Sequence, residues 1–241
     1  MIWTLLFLAL AVMFGGDSPF MVKNLDKYVK THVVDDTKKD KVLDYLKEAK
    51  TVRKKTVKVN KALFKEFSKL EGSREAKKED FESIGSKMIE GQKVSQSANI
   101  EAIQNAQKYI ARDEWDEIKV DIGKGFEKSA KKRKKRLDKL NDQFEKWKKK
   151  INKTISDKEN RELAIAAVER LKATYINNKK QVQEELLNHN SVIYKYEAPE
   201  AELKKVQENY IKWAKEVFDV AIATHFELVE LSTPEEWKKI K

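Results

Sequence analysis

Set against itself at an offset of 122 residues, the chain matches. Ala111-Arg112-Asp113-Glu114-Trp115-Asp116-Glu117-Ile118 falls on Thr233-Pro234-Glu235-Glu236-Trp237-Lys238-Lys239-Ile240. The same gap-free offset pairs apolar positions upstream: Phe81 with Leu203, Ile84 with Val206, Met88 with Tyr210, and further back Val42 with Ala164, Leu46 with Val168 and Ala49 with Leu171. Most of these positions are separated by threes and fours, the spacing that keeps side chains on one face of an α-helix. Helical periodicity alone generates some such matches, but it does not require a tryptophan at the end of each series.

The sequence therefore predicts two copies of helix, turn, helix and a short Trp-bearing cap, at residues 35–118 and 156–241. Gly72-Ser73 divides the helices of the first copy and Tyr196 to Pro199 those of the second, where Pro199 suits a helix start. Thr233 reads as an N-cap, and the acids that open each cap, Asp113-Glu114 and Glu235-Glu236, meet the positive end of the helix dipole. Trp115 and Trp237 are assigned as structural anchors rather than ligand contacts.

Between the copies, residues 123–155 read as a basic connecting helix. Phe126, Ala130, Arg133, Leu137, Leu140, Phe144, Trp147 and Ile151 advance by fours and threes, a coiled-coil-like seam with one basic interruption at Arg133. Gly123 and Gly125 mark its opening, and Ser156 or Asp157 can cap the helix after it. The stretch 124–153 holds 14 basic residues against Glu127, Asp138, Asp142 and Glu145, so nearly all of the chain's formal charge of +11 resides there.

Charged residues make up 38% of the chain and apolar ones 40%, with 7 Gly and 3 Pro, too few turn formers for a sheet protein. Long helices with narrow apolar stripes fit these proportions. The expected class is all-α: elongated antiparallel helical hairpins forming a coiled-coil-like bundle, with an N-terminal hydrophobic membrane helix.

That last element rests on residues 1–22. Ile2 to Phe14 is almost unbroken apolar sequence, short of the ~30 Å hydrocarbon core unless Phe20, Met21 and Val22 extend it. A retained single-pass anchor and a cleaved signal peptide both fit, though no basic residue precedes the run and no small-x-small site is clear. Residues 23–34 read as a linker. Its Lys23, Lys27 and Lys30 favour a cytoplasmic soluble part, whereas an N-terminal apolar run commonly exports the rest of its chain, so the side stays open.

No catalytic constellation is present. No Glu stands three residues before His32, His189 or His225, as di-iron bundles require, and no G-x-S-x-G or P-loop occurs. Cysteine is absent, which removes disulfides and thiolate chemistry. His32 beside Asp35 and Asp36 is the best metal-like cluster, with unspecific spacing. No cofactor or metal is expected, and His189 reads as a core or interface histidine.

The candidate anion-contacting surface is Lys131, Lys132, Arg133, Lys134, Lys135 and Arg136. No nucleic-acid reading module or aromatic platform accompanies it, so anionic lipid or an acidic partner is the better match than nucleic acid. The expected function is a non-enzymatic, membrane-tethered interaction or scaffold protein that binds a protein partner or self-associates. The alternative is an exported, soluble chaperone-like or cargo-binding protein with its signal peptide removed.

Overall fold

The structure, a computed structural model, describes residues 24–188 and 192–240, apart from the side chains of Lys131, Lys132, Leu186 and Tyr194. Among the described residues there are seven α-helices and no strand. They are α1 (Leu25–His32), α2 (Asp36–Glu71), α3 (Lys78–Gln107), α4 (Arg112–Thr154), α5 (Lys158–Leu187), α6 (Glu200–Glu230) and α7 (Pro234–Ile240). The bundle is all-helical, as the sparse turn formers and the three-and-four stripes predict. The apolar run at 1–22, expected as a membrane helix, lies outside the described residues, as does His189. Among the described residues no helix is long and apolar enough to cross a membrane.

Local chemistry sets several boundaries. The Asp35 carboxylate accepts the Lys38 N–H at 2.9 Å to start α2, and Asp157 accepts the Asn160 N–H at 2.8 Å to start α5. Of the two cap candidates before α5, Asp157 is the one used, and such a cap contributes about 1 kcal/mol. Pro199 occupies the N-cap of α6, one place before the first helical turn. α2 ends at Gly72-Ser73, as expected.

Two stretches differ from the sequence expectation. Residues 25–32, placed in a linker, form α1, whose Leu25 and Val29, with Val33 just beyond, are buried at a spacing of four. Eight residues are too few to hold a helix in water without tertiary packing, and α1 packs on α2 and α4. The break expected at 119–123 is also absent: α4 runs 43 residues through Gly123 and Gly125, about 65 Å at ~1.5 Å per residue. At Gly125 a Cβ would meet only the Tyr28 hydroxyl, at 3.0 Å, the tip of a side chain that can shift.

The core divides between the two ends of the bundle. At one end Trp115, Ile118 and Ile122 of α4 meet α1, the start of α2 and the end of α3. At the other, Trp147 and Ile151 of α4 and Trp237 of α7 meet α5, the end of α2, the start of α3 and the end of α6. α3 and α6 run antiparallel between them, Phe81 packing on His225 and Gln207 donating to the Lys93 carbonyl at 3.0 Å and to Ser97 Oγ at 2.9 Å. Buried polar residues include Asn60 on α2, Gln92, Ser95 and Gln96 on α3, and Gln207 on α6.

Candidate functional site

The capping residues of α4 and α7 are built alike. Glu114 Oε2 accepts the Ala111 N–H at 2.9 Å, closing the first turn of α4, while Oε1 accepts the Val34 N–H at 2.9 Å and so ties the α1–α2 connection to that turn. Glu236 accepts the Thr233 N–H at 2.9 Å and the Ser156 N–H at 2.7 Å, and its own N–H donates to Thr233 Oγ1 at 3.2 Å. Every partner stands 122 residues from its counterpart. The two donated N–H groups hold the Glu236 carboxyl at about 2, well below an ordinary glutamate. Trp115 and Trp237 are both buried, each in the cluster at its own end of the core.

Along α4 the cations are used unequally. Lys124 pairs with Asp121 at 3.1 Å, and Asp121 also meets His32 Nε2 at 3.1 Å, so these hydrogen bonds lower its pKa. His32 thus faces α4 rather than Asp35 and Asp36. At the far end Lys148 pairs with Glu145 at 2.9 Å and with Glu169, while Lys172 reaches Glu145 at 2.7 Å. Hydrogen bonds from Lys172 and Lys148 bring the Glu145 carboxyl down to about 2.

The middle of α4 is different. Arg133, one of the six predicted surface cations, turns inward: its Nη2 donates to the Phe126 carbonyl at 3.1 Å and its guanidinium lies 5.9 Å from the centre of the Phe126 ring. Lys134, Lys135 and Arg136 are exposed, and so are Lys128 and Lys139. α4 is helical at Lys131 and Lys132, whose side chains are outside those described. Lys128, Lys135 and Lys139 follow at intervals of seven and four, which places them on one helical face. The seam beneath is buried at Leu140, Phe144, Trp147 and Ile151 and only half-buried at Phe126, Ala130 and Leu137.

No group of three or more metal-binding side chains occurs among the described residues. Two buried titratable groups stand apart from any such cluster. His225 lies among the rings of Phe81, Phe226 and Trp237, and burial lowers its pKa to about 4. Glu71 is buried at the end of α2 without a hydrogen-bond partner among the described residues, and burial raises its carboxyl to about 9. Nothing local in the sequence marks either one, because both depend on helices distant along the chain.

Comparison with known proteins returns no matching family model, no similar curated protein and no similar solved structure.

Proposed function

We propose that this chain is a non-enzymatic helical interaction protein, tethered to a membrane by residues 1–22, whose α4 mid-section lies against anionic lipid headgroups. It comprises two copies of one helical unit that share α4. The supporting observation is the exposed cations of α4, Lys128, Lys135 and Lys139 on one face with Lys134 and Arg136 on its two flanks, and Asp138 the one acid between residues 128 and 139. Each basic residue near an acidic leaflet contributes about 1 kcal/mol, screened by salt, so these cations act strongly only in concert. The apolar amino-terminal run keeps such a face close to lipid, which favours headgroups over a diffusing acidic partner.

The chain lacks cysteine, so Ser129→Cys gives a single labelling position on the full chain. Energy transfer from this label to a headgroup-labelled lipid is measured in proteoliposomes with and without phosphatidylglycerol. Transfer is expected to rise with the acidic lipid, fall with salt, and return to the neutral-lipid level in Lys134→Gln/Lys135→Gln/Arg136→Gln. Equal transfer in both membranes sinks the headgroup reading. A second reading, an exported cargo-binding protein, draws support from the cavity beside α1; an intact mass corresponding to a start after about residue 16 would favour it.

A further inference from the structure

Between α1, α2 and α3 lies a cavity of about 470 Å³, within the ~300–1,000 Å³ range of small-molecule sites. Leu43, Leu46, Ala49 and Ala102 give it an apolar floor. Lys30, Lys47, Lys50 and Arg53 stand around it, against the single carboxylate of Asp26. The chemistry is that of an amphiphile: grease below, positive charge above.

The corresponding place at the other end of the bundle, 122 residues on, is filled. Where the cavity has Leu25, Ala49 and Arg53, the other end has Trp147, Leu171 and Tyr175, all buried. Lys47 is replaced there by Glu169, which pairs with Lys148. Leu140 and Phe144, on the α4 turns just before Trp147, complete that packing. The same helical framework therefore closes tightly when it carries large side chains. Among the described residues, the space beside α1 coincides with smaller or cationic side chains at Leu25, Lys47, Ala49 and Arg53.

We propose that this cavity binds a long-chain fatty acid, its alkyl chain over the Ala49 and Ala102 floor and its carboxylate against Lys47, Lys50 and Arg53. A small inorganic anion would leave the apolar floor wet, and a neutral amphiphile would gain nothing from the four cations at the rim. Charge-assisted hydrogen bonds from lysine and arginine to a carboxylate supply orientation, and burial of the chain supplies most of the affinity. The site is separate from the exposed face of α4 and does not depend on it.

The test is photolabelling of the full chain with a diazirine analogue of palmitate, followed by peptide mapping. Label is expected on residues 43–53 and 99–103, competed by palmitate and not by methyl palmitate. Lys47→Gln/Arg53→Gln should weaken competition about tenfold, the equivalent of ~1.4 kcal/mol. Ala49→Leu, which fills the floor, should abolish labelling while keeping or raising Tm, and Lys134→Gln/Lys135→Gln/Arg136→Gln should leave labelling unchanged. Equal competition by methyl palmitate, or label indifferent to Ala49→Leu, overturns the proposal. So does an unlabelled cavity with Ala49→Leu lowering Tm, which would mean that the chain's own apolar amino-terminal segment is the occupant.

Discussion

Replacing His225 by leucine is expected to change how the stability of this protein responds to mild acid. The imidazole is 4% exposed, its Nε2 is buried without a hydrogen-bond partner among the described residues, and the three rings around it lie 4.9, 5.1 and 5.3 Å away, centre to centre. An imidazolium in that cage has no counter-charge, and its Nε2 has no access to water. Burial holds the folded-state pKa at about 4, against 6.5 for a free histidine. As pH falls below 6.5 the unfolded chain takes up the proton first. The stability conferred by the neutral ring is fully present above pH 6.5 and is lost as pH falls to 4. The gap of about 2.5 pH units corresponds to ~3 kcal/mol over that window. Leucine is close in size, does not titrate, and resembles Ile103, the residue 122 positions earlier. At pH 7.5 the variant should lie within ~1.5 kcal/mol of wild type, as volume-conserving core changes do. Denaturant unfolding of both proteins at pH 7.5, 6, 5 and 4.5, followed by circular dichroism, gives the difference directly, and carboxylate titrations cancel between them. The variant should gain on wild type steadily as pH falls. Parallel stability curves would refute the assignment of a neutral, caged imidazole.

Further outcomes are expected. Glu114→Gln and Glu236→Gln should each lower stability by about 1–2 kcal/mol, because each carboxylate accepts two backbone N–H groups, and the two losses should add in the double variant since the caps lie at opposite ends. The Glu236 contribution should fade as pH falls from 4.5 toward 2, read from thermal melts. Gly85→Ala should destabilise by ~1–3 kcal/mol despite the ~1 kcal/mol helix-propensity gain, since its Cβ would lie 2.1 Å from the buried Phe218 ring. Gly125→Ala, facing only the Tyr28 hydroxyl at 3.0 Å, should be near neutral in the same melts. Glu71→Gln should leave stability unchanged at pH 4 and raise it by ~3 kcal/mol near pH 7. The buried glutamate stays protonated in the fold up to about pH 9, so wild type loses stability as pH rises from 4.5, and the amide removes that loss.

The helical class is legible because Val42, Ala49, Phe81, Ile84 and Met88 fall on single helical faces, and burial tracks those faces closely. The caps are legible for a similar reason: Asp35, Asp157 and Thr233 precede helix starts and act on N–H groups within three residues. What depends on other helices is not. α1 looks like a linker because its apolar face has only Leu25, Val29 and Val33 and gains meaning from the start of α4. Arg133 reads in the sequence both as a surface cation and as the one basic residue on the apolar seam, and its contacts with the half-buried Phe126 carbonyl and ring match the second reading. The cavity escapes notice because it consists of bulk that is missing at Ala49 and Ala102, and missing bulk is visible only once three helices are placed around it.

The unbroken run of α4 makes it a drive shaft between the two ends. Each residue advances a helix by ~100°, so one residue inserted between Lys128 and Arg136 would turn the Trp115 end and the Trp237 end out of phase by that angle, tearing α3 from α6. Seven inserted residues come within ~20° of a whole number of turns. Angle alone does not rescue an insertion, because those seven residues also lengthen α4 by ~10 Å while α2 and α3 span the same two ends unchanged.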